Sequence, residues 1–200
     1  MQKSILNFIW WFSTPFILTF LILLIFVENI STFGILTYAK LNIFLVGFPM
    51  LVYWTSGIYM NDDFHRREQV AVGVLIFTMI YAFIFEIRMF DNWLVIIYLV
   101  YFFSVLQAFV ISFTKFNQYI HLIASFFVIE LLFMILLHRD FFLIILLILV
   151  FTGVLMYLFI NNNVDKPKNI YLSYSLGFIS TIIYAILLFW FEKLNLFEII

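Results

Sequence analysis

The 200-residue chain has no cysteine and little charge. Without cysteine it forms no disulfide, thiolate metal site or thiol nucleophile. Only 10% of its residues are charged, and the net charge is -1, which excludes the basic surface that binds nucleic acid. The three histidines (His65, His121 and His138) are far apart in the sequence and lack the spacing of metal ligands. We therefore predict neither a metal site nor a bound cofactor.

Apolar residues are in large excess. They make up 66% of the chain, with a mean hydropathy of +1.18, whereas a soluble domain is about 45–50% apolar and about 25% charged. A fold of this length cannot hide so much apolar surface from water, so the excess must face lipid. The composition predicts an all-α, polytopic membrane protein that forms one domain over residues 1–200.

Seven apolar runs are candidates for membrane spans, each of which needs roughly 20 apolar residues. They cover 5–27, 41–60, 70–85, 92–114, 119–137, 141–160 and 170–191. The third run is short, so six spans are the alternative if it is re-entrant. Seven spans place the loops at 61–69, 115–118 and 161–169 on one membrane side, here called side A. Basic residues are only slightly more frequent on side A, so the positive-inside rule does not decide the orientation.

Two other patterns concern the spans themselves. Small residues recur at every fourth position in two of them, a spacing that lets helix backbones approach closely. These two stripes are Ser104, Ala108 and Ser112, and Ser173, Gly177 and Thr181. Pro49 lies inside the second span and predicts a distortion of that helix.

The polar residues of side A suggest a site for phosphate. Arg66, Arg67 and Lys115 are the candidate ligands, with His65 and His121 beside them in sequence. Arginine binds phosphate through bidentate forks and lysine binds it as a point charge. The alternative is that these loops are merely solvated and carry interfacial charges.

Two polar side chains fall inside the apolar runs. Glu130 is near the middle of the fifth run and Gln107 is deep in the fourth. An ionised carboxylate there costs at least about 2.5 kcal/mol, so Glu130 must be protonated, paired or in contact with a wet cavity. An interhelical hydrogen bond is the structural alternative to a function for both. His121 and Glu130 are nine residues apart, about 180° around a helix, and cannot share one site.

Four stretches give the chain a resemblance to a known family. They are Phe12-Ser13-Thr14-Pro15, His65-Arg66-Arg67-Glu68-Gln69, Lys115-Phe116-Asn117-Gln118-Tyr119, and Pro167-Lys168-Asn169-Ile170-Tyr171 followed by Leu176-Gly177-Phe178. In order and spacing the chain resembles the short bacterial members of the type 2 phosphatidic acid phosphatase family. Those membrane proteins remove phosphate from lipid phosphates. The resemblance implies a place in the bacterial cytoplasmic (inner) membrane and membrane lipids as partners.

The chain departs from this family at the reacting groups. In the family one histidine attacks phosphorus and another protonates the leaving group. Tyr119 stands at the position of the second-motif histidine, and the third-motif loop, 159–171, has neither His nor Arg, with Asp165 near the place of the nucleophile. His121 is two positions from the motif site, which rotates its side chain by about 200°. We expect no catalytic residue and no catalysis, but a chain that binds a phospholipid or polyprenyl phosphate or serves as a subunit of a membrane complex.

Three alternatives stay open at this point. One is an active lipid phosphate phosphatase with a non-standard site. Another is a prenyltransferase of the UbiA type, whose Mg²⁺-binding loop begins as Asn61-Asp62 does, although His65 and Gln69 replace its later aspartates. The third is a subunit of a small-solute transporter with Glu130 as the intramembrane coupling residue.

Overall fold

The computed structural model describes residues 19, 30–59, 64–87, 92–114, 116–137, 142–161 and 166–193. The chain divides into two compact units, which we call the N-terminal unit, Trp10–Asp91, and the C-terminal unit, Asn92–Ile200 together with Met1–Ile9. The described residues contain helices and no strand, which confirms the all-α class. Apart from Thr19, the first predicted span lies outside the described residues.

Residues 30–59 and 64–87 of the N-terminal unit form one long, interrupted helix and a second helix packed against it. The first comprises α1 (Ile30–Asn42), a π-helical turn (Ile43–Gly47) and α2 (Phe48–Tyr59); the second is α3 (Phe64–Phe85). In the π-helical turn the Phe48 N–H donates to the Ile43 carbonyl, five residues earlier. The next residue, Pro49, has no N–H to donate. The distortion that the sequence predicts at Pro49 is therefore a local change from α- to π-helical hydrogen bonding.

Apolar side chains and an ion pair hold the described part of this unit together. The interior includes Leu45, Ala71, Leu75 and Met79, all buried. At one end the Lys40 Nζ lies 3.3 Å from a carboxylate oxygen of Glu86, and both side chains are partly exposed. Such an exposed pair contributes little to stability, about 0–1 kcal/mol, so the apolar contacts are the main source of cohesion.

The described residues of the C-terminal unit form four helices. They are α4 (Asn92–Ile111), α5 (Gln118–Leu137), α6 (Phe142–Asn161) and α7 (Pro167–Lys193). The central helix is α5, which packs against the other three and is buried at every residue from Gln118 to Glu130. Contacts between α5 and α7 advance in the same direction along both helices, from Asn117–Ser173 to Phe127–Phe178, so these two helices run parallel.

The structure does not support the predicted count of seven membrane spans. Among the described residues three helical stretches are long and apolar enough to cross a membrane: Ile35–Ser56, Trp93–Ile111 and Pro167–Lys193. Gln69–Phe85 and Gln118–Leu132 are shorter apolar helices.

Candidate functional site

The two stripes of small residues meet α5 and each other inside the C-terminal unit. Gly177 of α7 lies against the His121 backbone of α5: a Cβ atom at position 177 would clash with the His121 carbonyl oxygen and lie 3.0 Å from its Cα and its carbonyl carbon. Only a glycine permits this approach without a shift of the helices. The prediction that the stripes serve helix packing is confirmed at this crossing.

Hydroxyl groups line the same crossing. The Ser104 Oγ of α4 lies 3.2 Å from the Thr181 Oγ1 of α7. Each also donates to a carbonyl of its own helix, Ser104 to Val100 at 2.9 Å and Thr181 to Gly177 at 2.7 Å. On α5 the Ser125 hydroxyl donates to the His121 carbonyl at 3.0 Å. We call Ser104, His121, Ser125, Gly177 and Thr181 the polar seam.

His121 is the one ionisable group of the polar seam. Its side chain has no exposed surface, and neither ring nitrogen has a hydrogen-bond partner among the described residues. The Ser104 backbone is close enough to interact with the ring, but without hydrogen-bond geometry. The sequence predicts His121 as a headgroup ligand; the structure places it inside the helix crossing, away from the surface.

At the end of the C-terminal unit where α5 begins, hydrogen bonds fix the starts of two helices to each other. Asn117 precedes α5, and its Oδ1 accepts hydrogen bonds from the N–H groups of Tyr119 and Ile120, at 3.1 and 3.2 Å. This is an N-cap. The Asn117 N–H donates to the Ser173 Oγ of α7 at 2.7 Å, and that hydroxyl donates to the Asn169 carbonyl at 2.6 Å. The connection between α4 and α5 is thus fixed to the beginning of α7.

Lysines accompany these two helix beginnings. Lys166 directly precedes α7, Lys168 is its second residue, and both are exposed. Lys115 belongs by sequence to the connection between α4 and α5 but lies outside the described residues. Since α5 and α7 are parallel, the positive ends of both helix dipoles are at this end. We call Asn117, Ser173, Lys166, Lys168 and the first turns of α5 and α7 the basic end.

The other predicted phosphate ligands lie in the N-terminal unit. His65, Arg66 and Arg67 occupy the first turn of α3, and their side chains are outside the described part of the structure. Their grouping with Lys115 stays a prediction.

The two polar residues that the sequence predicts inside membrane spans differ in their surroundings. The Tyr184 hydroxyl of α7 donates to the Gln107 Oε1 of α4 at 2.9 Å, so Gln107 makes an interhelical hydrogen bond. Glu130 is 6% exposed, and its carboxyl group has no hydrogen-bond or ion-pair partner among the described residues. The interhelical hydrogen bond that the sequence offers as a structural explanation is therefore present at Gln107.

The described residues contain no group of three or more His, Asp or Glu side chains that could hold a metal ion. No family model, no curated protein and no solved structure matches this chain. The resemblance to the phosphatidic acid phosphatases therefore rests on the four sequence stretches alone.

Proposed function

We propose that this chain is an integral protein of the bacterial cytoplasmic membrane that binds the phosphate group of an anionic lipid at its basic end and does not hydrolyse it. The observation that carries the proposal is the 2.7 Å hydrogen bond from the Asn117 N–H to the Ser173 Oγ. It holds the beginnings of α5 and α7 side by side, with Lys166 and Lys168 exposed next to them.

Phosphate is the ligand that this chemistry favours. The partial positive charge at the beginning of a helix favours an anion bound there. This charge and the lysines carry the attraction, because the Tyr119 and Ile120 N–H groups of α5 are already bonded to the Asn117 Oδ1 and Pro167 at the start of α7 has no N–H. Lysine adds a compact positive charge, and each lysine near an anionic membrane surface contributes about 1 kcal/mol. We expect α5 and α7 to begin at the membrane surface, where lipids such as phosphatidate or a polyprenyl phosphate present their phosphate group.

The groups near the basic end suit binding better than hydrolysis. Tyr119 stands where the family has a histidine, and its side chain is buried. His121, the nearest imidazole along the chain, is enclosed at the contact with Gly177. An acid–base catalyst must reach the group whose proton it transfers, and no described imidazole lies at this surface.

Lipid binding by the purified protein in nanodiscs tests the proposal. We expect phosphatidate and polyprenyl phosphate to bind more tightly than phosphatidylcholine. The Lys166→Gln/Lys168→Gln double variant should bind them about thirtyfold more weakly, a loss of roughly 2 kcal/mol. Lys193→Gln is the matched control, because Lys193 is exposed at the other end of the same helix, about 40 Å away. Equal binding of all lipids, or equal losses in both variants, would refute the site.

Two further measurements complete this test. Phosphate release from the bound lipid, absent in the variants, would show that the chain is an enzyme and would refute the binding-only proposal. Lys115→Gln and Arg67→Gln examine the ligands predicted from sequence. A loss of binding in Lys115→Gln alone would restrict the site to the basic end.

A further inference from the structure

Glu130 is a buried carboxyl group that the proposed phosphate site does not use. It belongs to α5, the central helix of the C-terminal unit, and is 6% exposed. Two of the helices packed on α5, α4 and α7, are long and apolar enough to cross a membrane. The carboxyl group therefore lies within an apolar helix bundle.

Opposite charge is absent from the apolar stretches of the three described helices that pack on α5. Residues 93–111 of α4, 142–160 of α6 and 169–191 of α7 contain no Lys, Arg, His, Asp or Glu. Their titratable groups are tyrosine phenols: Tyr98 and Tyr101 on α4, Tyr157 on α6, and Tyr171, Tyr174 and Tyr184 on α7. On α5 itself the titratable neighbours are Tyr119 and His121; His121 is about half a turn around the helix and about 13 Å along its axis.

We propose that Glu130 is an intramembrane proton-binding site that carries its proton at neutral pH. Burying an unpaired carboxylate among apolar side chains is far costlier than burying a neutral carboxylic acid. A proton taken from water forms an O–H bond on one carboxylate oxygen and removes the charge. This site is independent of the proposed phosphate site, because the two use different residues and different ligands.

A bound proton gives the bundle an exchangeable group at a depth that water-soluble ions do not reach. Intramembrane carboxyl groups of this kind are found on proton relays in pumps and transporters. Glu130 faces away from the polar seam, since it is about 180° around α5 from His121.

Infrared spectroscopy of the protein in lipid at pH 7 tests the proposal. The expected result is a carbonyl band of a protonated carboxylic acid that shifts in D₂O, disappears in Glu130→Gln and persists in Glu192→Gln and Glu86→Gln. Those controls remove acidic groups at the ends of helices, and Glu86 lies 3.3 Å from Lys40. The absence of the band in the wild-type protein, or its survival in folded Glu130→Gln, would overturn the proposal.

A second measurement needs no variant and decides the matter if Glu130→Gln does not fold. A hydrophobic carbodiimide adds to protonated carboxyl groups in lipid, forming a covalent adduct on the carboxyl oxygen that rearranges to an N-acylurea. We expect the adduct on the peptide that contains Glu130, and none on the peptides that contain Glu86 or Glu192. Modification of the latter two without modification of Glu130 would overturn the proposal.

Discussion

Gly177 of α7 and His121 of α5 are in direct backbone contact. A Cβ atom at position 177 would clash with the His121 carbonyl oxygen and lie 3.0 Å from its Cα. The glycine thereby sets the separation of α5 and α7, the two helices whose first turns form the basic end. Changes at this contact act on the proposed phosphate site through the spacing of the helices.

Gly177→Ala is expected to destabilise the C-terminal unit by about 1–3 kcal/mol, the usual cost of overpacking a well-packed interior. The matched control is Gly153→Ala on α6, where an added Cβ meets nothing within 4 Å. Unfolding in mixed detergent micelles, followed by circular dichroism, measures both. Equal stabilities of the two variants would contradict the close contact at Gly177.

The N-cap of α5 gives a second prediction. Asn117→Ala removes the acceptor for the Tyr119 and Ile120 N–H groups and should cost about 0.5–2 kcal/mol, whereas Asn117→Asp keeps an acceptor and should cost little. The same unfolding assay compares them. A loss in Asn117→Asp as large as that in Asn117→Ala would show that the amide nitrogen, and not the cap, is what matters.

The hydrogen bond between Tyr184 and Gln107 is expected to make a modest contribution to the free energy of unfolding. Tyr184→Phe removes the donor of a 2.9 Å bond, and measured bonds of this kind in membranes average about 0.6 kcal/mol, with a maximum of about 1.7 kcal/mol. A double-mutant cycle with Gln107→Leu isolates the pair. Tyr171→Phe is the control, because Tyr171 is an exposed tyrosine of the same helix and should show no coupling to Gln107.

Lipid binding at the basic end is expected to weaken with ionic strength. Charges on exposed lysines are screened over about 8 Å at 0.15 M salt and about 3 Å at 1 M. Titration of phosphatidate at several salt concentrations should give a steep dependence for the wild-type protein and a shallower one for Lys166→Gln/Lys168→Gln. An identical dependence would place the charge–charge contact elsewhere.

The sequence determined the general features of this protein. Its excess of apolar residues and shortage of charge predict apolar helices, and the described residues are helical throughout their regular structure. The four-residue spacing of Ser173, Gly177 and Thr181 predicts one close-packed face, since residues four apart lie on the same side of a helix. An asparagine directly before an apolar run is a recognisable start of a helix, so the sequence also carries a signal for the cap at Asn117.

Only the tertiary structure decided which residues meet. The helices of this chain are apolar on nearly every side, so periodicity does not reveal which face turns toward a neighbour. Contacts between helices therefore had to be observed: His121 against Gly177, Gln107 bonded to Tyr184, Asn117 bonded to Ser173, and Glu130 with no partner among the described residues. The hydropathy of a side chain shows that it avoids water, but it does not show whether that side chain faces lipid or the protein interior. Only the packing of the helices distinguishes these two environments.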